Sequence, residues 1–139
     1  MSDSRATHLA SLSAVLPGFA AYWESHAYYN GSDVNEHTLC GIYSDASKVA
    51  KDLLSSGTTE CIRKLLDYIE TVMQSGTQNE RDAAATCFLE NLLNVTPTDI
   101  DPKTWIPLLG TESRLFCRAW DTFTGCQTEY LHEDPPSIA

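Results

Sequence analysis

The middle of the chain carries the pattern that most constrains its fold. Between residues 59 and 76, apolar side chains recur at intervals of three and four, which places them on one face of an α-helix. They are Cys61, Ile62, Leu65, Leu66, Ile69, Val72 and Met73. Thr58 or Thr59 can cap this helix at its start, and Gly76 lies where a helix commonly ends.

A second helix is predicted directly after the first, from about Asn79 to Asn94. Its apolar stripe consists of Ala84, Cys87, Phe88, Leu92 and Val95. Because only a few residues connect the two segments, we expect an antiparallel αα-hairpin at the centre of the fold. Apolar residues on several sides of 87–94 indicate a central helix, in which Glu90 would be partly buried and would need a partner.

Helices are also predicted on both sides of this hairpin. They span about Ser4–Leu16, Phe19–His26, Asp33–Leu54 with a break near Ser44-Asp45, Asp101–Leu109, and a last helix that Thr111 caps and Gly125 closes. The last helix carries Leu115, Phe116, Ala119, Trp120 and Phe123. Five side chains are expected to share one core: Phe88, Leu92, Leu115, Phe116 and Trp120.

These patterns predict an all-α fold. No alternation typical of strands occurs, and 139 residues is the ordinary length of one domain. We therefore expect residues 1–139 to form a single-domain helical bundle of about six to seven helices, with about 127–139 as an extended, partly mobile acidic tail. The chain has no signal-peptide pattern and no apolar run near the roughly 20 residues of a membrane helix, so a cytoplasmic location is expected.

Cysteine and histidine spacing argues against a metal or catalytic centre. The five cysteines are Cys40, Cys61, Cys87, Cys117 and Cys126. Their number is odd and no C-x-x-C occurs, which predicts reduced, mostly structural thiols in a cytosol and no effect of reductants or chelators on stability. The four histidines, which are His8, His26, His37 and His132, show no metal-ligand spacing and are expected at the surface.

No catalytic residue, cofactor site or metal site is therefore predicted. Phosphate-binding loops and the nucleophile elbow of hydrolases are absent from the sequence. Sequence alone leaves open a Cys–His pair assembled from distant parts of the chain. Arg114 and Arg118 share a helix face and could form an internal ion pair with Glu90 or Asp121; the alternative is an arginine pair that binds a ligand.

The charge balance points to the class of partner. Nine basic against nineteen acidic residues give a formal charge of −10, which disfavours nucleic acids and membranes. This charge either serves solubility or steers the chain towards a basic protein. The candidate partner-binding residues are Tyr28, Tyr29, Asp33 and Glu36 in the first loop and Glu129, Tyr130, Glu133 and Asp134 in the tail. The first loop could instead be a packed connection between helices.

Three segments of the C-terminal half carry a resemblance. They read CFLENLLN, IPLLG and SRLFCRAWDTFTG, within about Thr86 to Gly125. In these segments the chain resembles a family of small, acidic bacterial proteins similar to the immunity proteins of interbacterial toxin systems. The resemblance implies an all-α domain that neutralises a toxin, and the motifs have the character of packing motifs.

Three functions follow as hypotheses. The first is a stoichiometric binding protein, namely an immunity protein that binds a basic toxin domain. The second is a helical adaptor or homo-oligomeric scaffold, in which apolar stripes from two chains share one core. The third is a small enzyme whose site is assembled from dispersed residues.

Overall fold

The computed structural model describes residues 4–26, 38–94 and 100–132. Within these ranges it contains seven α-helices and no strand, so the predicted all-α fold is confirmed. The helices are α1 (Ser4–Val15), α2 (Phe19–His26), α3 (Leu39–Ser55), α4 (Glu60–Ser75), α5 (Gln78–Asp82), α6 (Glu90–Leu93) and α7 (Thr111–Thr124). A π-helical segment, Ala83–Leu89, joins α5 to α6. Buried apolar side chains from Leu12 to Leu131 form one core cluster.

The predicted central hairpin consists of α4 and the helical segment that follows it. Only Gly76 and Thr77 separate the two. Thr77 caps α5, because its hydroxyl accepts from the backbone N–H of Glu80 while the Glu80 carboxylate accepts from the N–H of Thr77. This capping box was missed from the sequence, which predicted the start of the helix at Asn79.

The π-helical segment is the part of the hairpin that lies deepest in the core. Its wider turn buries six of its seven residues: Ala83, Ala84, Ala85, Cys87, Phe88 and Leu89. The segment packs mainly against α3. Helix α3 runs unbroken from Leu39 to Ser55, so the predicted break near Ser44-Asp45 was wrong. Burial of Tyr43, Ala46 and Val49 on both sides of that point outweighs the low helix propensity of Ser and Asp.

Two of the five cysteines are joined, which corrects the expectation of reduced thiols throughout. Cys40 in the first turn of α3 forms a disulfide with Cys87 in the π-helical segment, 47 residues away in sequence. The contact between these two elements brings the Cα atoms to 5.3 Å, within the range that a disulfide requires. Cys61, Cys117 and Cys126 are free thiols. Burial, and to a lesser extent Asp121, raises the pKa of Cys117 to about 12.

The residues before α7 form two 3-10 turns, Pro102–Thr104 and Ile106–Leu108, where the sequence predicted one short helix. Proline lacks a backbone N–H, so Pro107 cannot donate the hydrogen bond that would continue a helix through this point. The turns bury Trp105, Ile106 and Leu109 against the core.

Helix α7 is rotated about its axis relative to the predicted orientation, although Phe116 still packs against the core. Phe88 and Leu92 are buried as expected, but Leu115 is 55% exposed, and Phe116 and Trp120 are only partly buried. The side of α7 that faces the core carries Ser113, Arg114, Cys117 and Asp121. The predicted core of five side chains was therefore wrong for Leu115 and incomplete for the other two residues of α7.

Candidate functional site

The structure describes two of the eight predicted partner-binding residues. Glu129 and Tyr130 both lie at the surface after α7, and Tyr130 is 36% exposed. The six others lie outside the described residues: Tyr28, Tyr29, Asp33, Glu36, Glu133 and Asp134. Residues 127–132 were predicted to be part of an extended tail, but here they fold back onto α7 with Leu131 fully buried. We call residues 127–132 the Tyr130 corner.

A buried carboxylate on α7 holds the Tyr130 corner in place. Asp121 is 1% exposed, and one of its oxygens accepts from the backbone N–H of Thr128 at 2.7 Å. The Thr128 hydroxyl lies 2.8 Å from the other oxygen, and His132 Nε2 lies 2.8 Å from the first. Burial alone would raise the pKa of Asp121, but these hydrogen bonds outweigh it and lower the pKa below its usual value.

Two arginines on α7 fasten the same corner from the core side. Arg114 donates to the carbonyl oxygen of Ile106 at 2.9 Å and to that of Leu131 at 3.4 Å. Arg118 Nε donates to the Leu131 carbonyl at 2.8 Å. Burial and the neighbouring charge of Arg118 lower the pKa of Arg114. Arg114 and Arg118 therefore make contacts inside the fold, as one of the two sequence-based hypotheses suggested. Their acceptors in these contacts are backbone carbonyl groups, whereas the hypothesis named the carboxylates of Glu90 and Asp121. Glu90 is half-buried, and burial raises its pKa.

The fixed ends of the corner place Tyr130 in an unusual backbone conformation. Its φ of 67° lies in the left-handed region, which non-glycine residues seldom adopt. Such strain persists only where the surrounding contacts impose it, and it is frequent at binding sites. The corner thus presents Glu129 and Tyr130 to solvent in a defined conformation, beside an open depression lined by Gln127, Thr128, Glu129, Tyr130 and His132.

The solvent side of α7 forms a second candidate surface. It carries Leu115, Ala119, Trp120 and Phe123, which we call the α7 outer face. Phe123 is 81% exposed, Ala119 is exposed, and the rings of Trp120 and Phe123 stack with their centroids 5.7 Å apart. An apolar helix face in this position is a typical feature of protein contact surfaces.

Glu70 on α4 holds the start of α7 in place. Its carboxylate accepts from the backbone N–H groups of Glu112 and Ser113, both at 2.9 Å, and from the Ser113 hydroxyl at 2.8 Å. It therefore caps α7 from a neighbouring helix. Gly110 makes room for this contact, because a Cβ atom at that position would lie 2.3 Å from Glu70 Cγ.

We expect Glu70→Gln to lower the free energy of unfolding by about 1–2 kcal/mol at pH 7, because a charged cap with several hydrogen bonds is lost. Burial raises the pKa of Glu70, but its hydrogen bonds lower the pKa by a larger amount, so the net shift is downward. The contribution is therefore fully present above the unfolded-state pKa, about 4.3, and is lost as pH falls through the lower folded-state value.

Urea unfolding of both proteins between pH 7 and pH 3 tests this expectation. The difference should stay constant down to about pH 5 and shrink below about pH 4. Glu24→Gln, at an exposed position of α2, is the matched control and should leave stability nearly unchanged. A difference that grows on acidification would contradict the capping role of the ionised carboxylate.

A buried histidine cluster lies on the N-terminal side of the bundle and was missed from the sequence. His8 is 5% exposed, so the prediction of a surface histidine was wrong at this position. Its Nε2 lies 2.6 Å from Glu80, and its Nδ1 lies 2.6 Å from the Tyr43 hydroxyl and 2.8 Å from that of Tyr68. No spacing signal could have shown this cluster, because its four residues come from four different helices.

The order carboxylate, histidine and hydroxyl in this cluster resembles the relay that activates a nucleophile. Its surroundings oppose that role. Tyr43 is fully buried, and burial together with Tyr68 raises the pKa of Tyr43 far above its usual range. The hydrogen bond from His8, followed by that from the Thr77 backbone, lowers the pKa of Glu80. The cluster thus fixes α1 against α3, α4 and α5.

Residues 9–125 match a protein-family model described as "Domain of unknown function (DUF7674)". The chain belongs to this family. The match covers most of the chain, including the N-terminal half, where the sequence alone showed no resemblance. No curated protein and no solved structure matches the chain.

The region shared with the family contains the α7 outer face but ends at Gly125, before the Tyr130 corner. Among the described residues, no group of three or more His, Cys, Asp or Glu side chains is placed to hold a metal ion. In the same part of the chain, no helix is both long and apolar enough to cross a membrane.

Proposed function

We propose that the protein is a non-enzymatic binding protein, and specifically an immunity protein. It would neutralise a bacterial toxin by binding a basic surface of that toxin. The observation that carries the proposal is the Tyr130 corner. An exposed tyrosine and an exposed glutamate stand on a loop whose conformation is fixed by Asp121, Arg114 and Arg118. Loops held by a rigid scaffold commonly carry binding residues, because they lose little entropy when a partner binds.

The chemistry of the corner fits a basic protein partner. Tyrosine supplies a large contact area with a polar tip, and it is common among the residues that dominate binding energy. Glu129 adds local negative charge to a chain whose formal charge is −10. Charge of this sign increases the association rate with a basic partner. Tyr28, Tyr29, Asp33 and Glu36 remain proposed contacts of the same kind, as do Glu133 and Asp134.

The toxin-directed part of the proposal rests on the resemblance of residues 86–125 to immunity proteins. Membership of the family shows that residues 9–125 form a domain shared with the other members, and the family model names no activity. A cytoplasmic location is also part of the proposal. The cysteines no longer support it, because the Cys40–Cys87 disulfide contradicts the expectation that all thiols are reduced.

Capture of a partner on the immobilised protein, followed by mass identification, tests the proposal. We expect a protein that is basic at its contact surface, that stops bacterial growth when produced alone, and that permits growth when this chain is produced with it. Raising the salt concentration should slow association more than it speeds dissociation. An acidic partner, salt-independent association, or growth arrest that this chain does not relieve would each contradict the proposal.

Variants of the corner locate the interface. Glu129→Lys and Tyr130→Ala should each weaken partner binding at least tenfold while the melting temperature changes little, since both side chains are exposed. Glu24→Lys makes the same charge change on exposed α2 and serves as the control. If the corner variants bind as the wild type does, the same measurement on Asp33→Lys with Glu36→Lys tests the first loop.

A further inference from the structure

We propose that Cys40 is a site of reversible thiol–disulfide exchange, where a small thiol or a dithiol reductant opens the Cys40–Cys87 bond while the protein stays folded. The entering thiolate forms a mixed disulfide with Cys40, and Cys87 leaves as a thiolate. This reactivity is independent of the proposed binding function and involves a different part of the molecule.

The two cysteines of the bond differ in their access to solvent. Cys40 is exposed in the first turn of α3, whereas Cys87 is 7% exposed in the π-helical segment. Exchange begins when a thiolate attacks one of the two sulfur atoms, and access helps to decide which of them is attacked. An external thiol therefore reaches the sulfur of Cys40, and Cys87 is the leaving group.

An open depression beside the bond gives the entering thiol a place to bind. Both cysteines line it together with Asn79, Asp82 and Thr86, and its volume is about 460 Å³. A depression of this size admits a small thiol or a cysteine side chain of another protein. Among its described lining residues Asp82 is the charged one, and it is exposed. A cationic thiol is therefore favoured over an anionic one.

The position of Cys40 in α3 assists the second half of a reduction. Cys40 is the second residue of this 17-residue helix, and the first turn contains no acidic residue. Backbone N–H groups at a helix N-terminus stabilise a thiolate, so Cys40 is a good leaving group when the second thiol of a dithiol attacks the mixed disulfide. The dithiol gives up two electrons and two protons and becomes a disulfide, while Cys40 and Cys87 become thiols.

The core holds the two joined segments together without the bond. Tyr43 of α3 and both Ala84 and Phe88 of the π-helical segment are fully buried where these elements pack. Reduction should therefore leave the helices assembled and the two thiols close enough to rejoin. When a small disulfide such as cystamine is added, the Cys40 thiolate attacks it, and the Cys87 thiolate then displaces the cysteamine.

Peptide mass mapping identifies the sulfur that reacts. The oxidised full chain carrying Cys126→Ser, which removes the other exposed cysteine, is treated briefly with cysteamine, quenched with acid and alkylated. We expect the cysteamine adduct on Cys40 and an alkylated thiol at Cys87, with about a tenfold excess over the reverse pattern. A cysteamine adduct mainly on Cys87 would overturn the inference.

The reaction rate shows whether exchange takes place in the folded protein. The rate should rise in proportion to the cysteamine concentration and change less than about twofold between 0 and 1 M urea. If exchange required global unfolding, the same urea would accelerate it at least about fivefold, and that result would contradict the proposal. Circular dichroism should show that the reduced chain keeps its helical signal, and cystamine should restore the bond without denaturant.

Charge at the depression gives a third readout. Asp82→Asn should lower the ratio of the cysteamine rate to the 3-mercaptopropionate rate by about two- to fivefold, because an exposed carboxylate that attracts the cation is removed. Asp52→Asn, at an exposed position near the other end of α3, is the matched control and should leave this ratio unchanged. An equal ratio in the wild type and Asp82→Asn would show that the thiol does not enter through this depression.

Discussion

Phe88→Ala should lower the free energy of unfolding by about 3–5 kcal/mol, the largest effect that we expect from a single substitution in this chain. Phe88 is fully buried in the π-helical segment, where that segment packs against α3. Removing the ring leaves a cavity that the surrounding side chains fill only in part.

Two aromatic residues of α7 provide the comparison for Phe88. Trp120 is partly buried and stacks on Phe123, so Trp120→Ala should cost about 1–2 kcal/mol. Phe123→Ala, at the most exposed of the three positions, should cost less than about 0.5 kcal/mol. Urea unfolding at a protein concentration that keeps the chain monomeric gives all three values. A larger loss for Trp120→Ala than for Phe88→Ala would show that α7 packs with its apolar side inwards.

Reduction of the Cys40–Cys87 disulfide should lower the free energy of unfolding by about 4 kcal/mol. The bond closes a loop between residues 47 apart in sequence, and the chain-entropy model gives this magnitude for a loop of that size. The disulfide therefore contradicts the sequence-based expectation that reductants leave stability unchanged. Chelators are still predicted to have no effect.

Urea unfolding of the oxidised protein with and without a dithiol reductant measures this contribution. The double variant Cys40→Ser with Cys87→Ser should match the reduced wild type and should not respond to reductant. Cys126→Ser, which removes an exposed free thiol, should behave as the wild type does under both conditions. Alkylation of five thiols in the unreduced, unfolded protein would show that the bond does not form.

The fold class could be predicted from the sequence because local signals determine it. The apolar periodicity of 61–73 corresponds to α4, and the glycines at 57, 76 and 125 lie at helix ends in the structure. The predicted cap by Thr111 was wrong, because Thr111 is the first residue of α7 and Gly110 precedes it as the cap residue; Thr59 precedes α4 as predicted but makes no side-chain cap hydrogen bond. The π-helical segment has no such signal, because its extra residue per turn is set by contact with α3. The pairing of Cys40 with Cys87 likewise depends on which helices meet, which spacing along the chain does not reveal.

The orientation of α7 shows where hydrophobic patterning is insufficient. The pattern places Leu115 and Trp120 inwards, since apolar stripes usually face the core. Here the polar side has specific partners in the interior, among them Glu70 and the carbonyls of Ile106 and Leu131. These partners come from distant segments and could not be identified in advance. Exposure of Glu129 and Tyr130 was predictable from composition, but the left-handed backbone at Tyr130 was not.

The Glu80 carboxylate connects a local turn with a distant helix. Its Oε1 accepts from the backbone N–H of Thr77, three residues away, and its Oε2 contacts His8, which is 72 residues away. The same side chain therefore closes the turn between α4 and α5 and anchors α1. Separation of α1 would leave the carboxylate without its histidine partner and weaken the turn, so the N-terminal helix and the hairpin are expected to unfold as one cooperative unit.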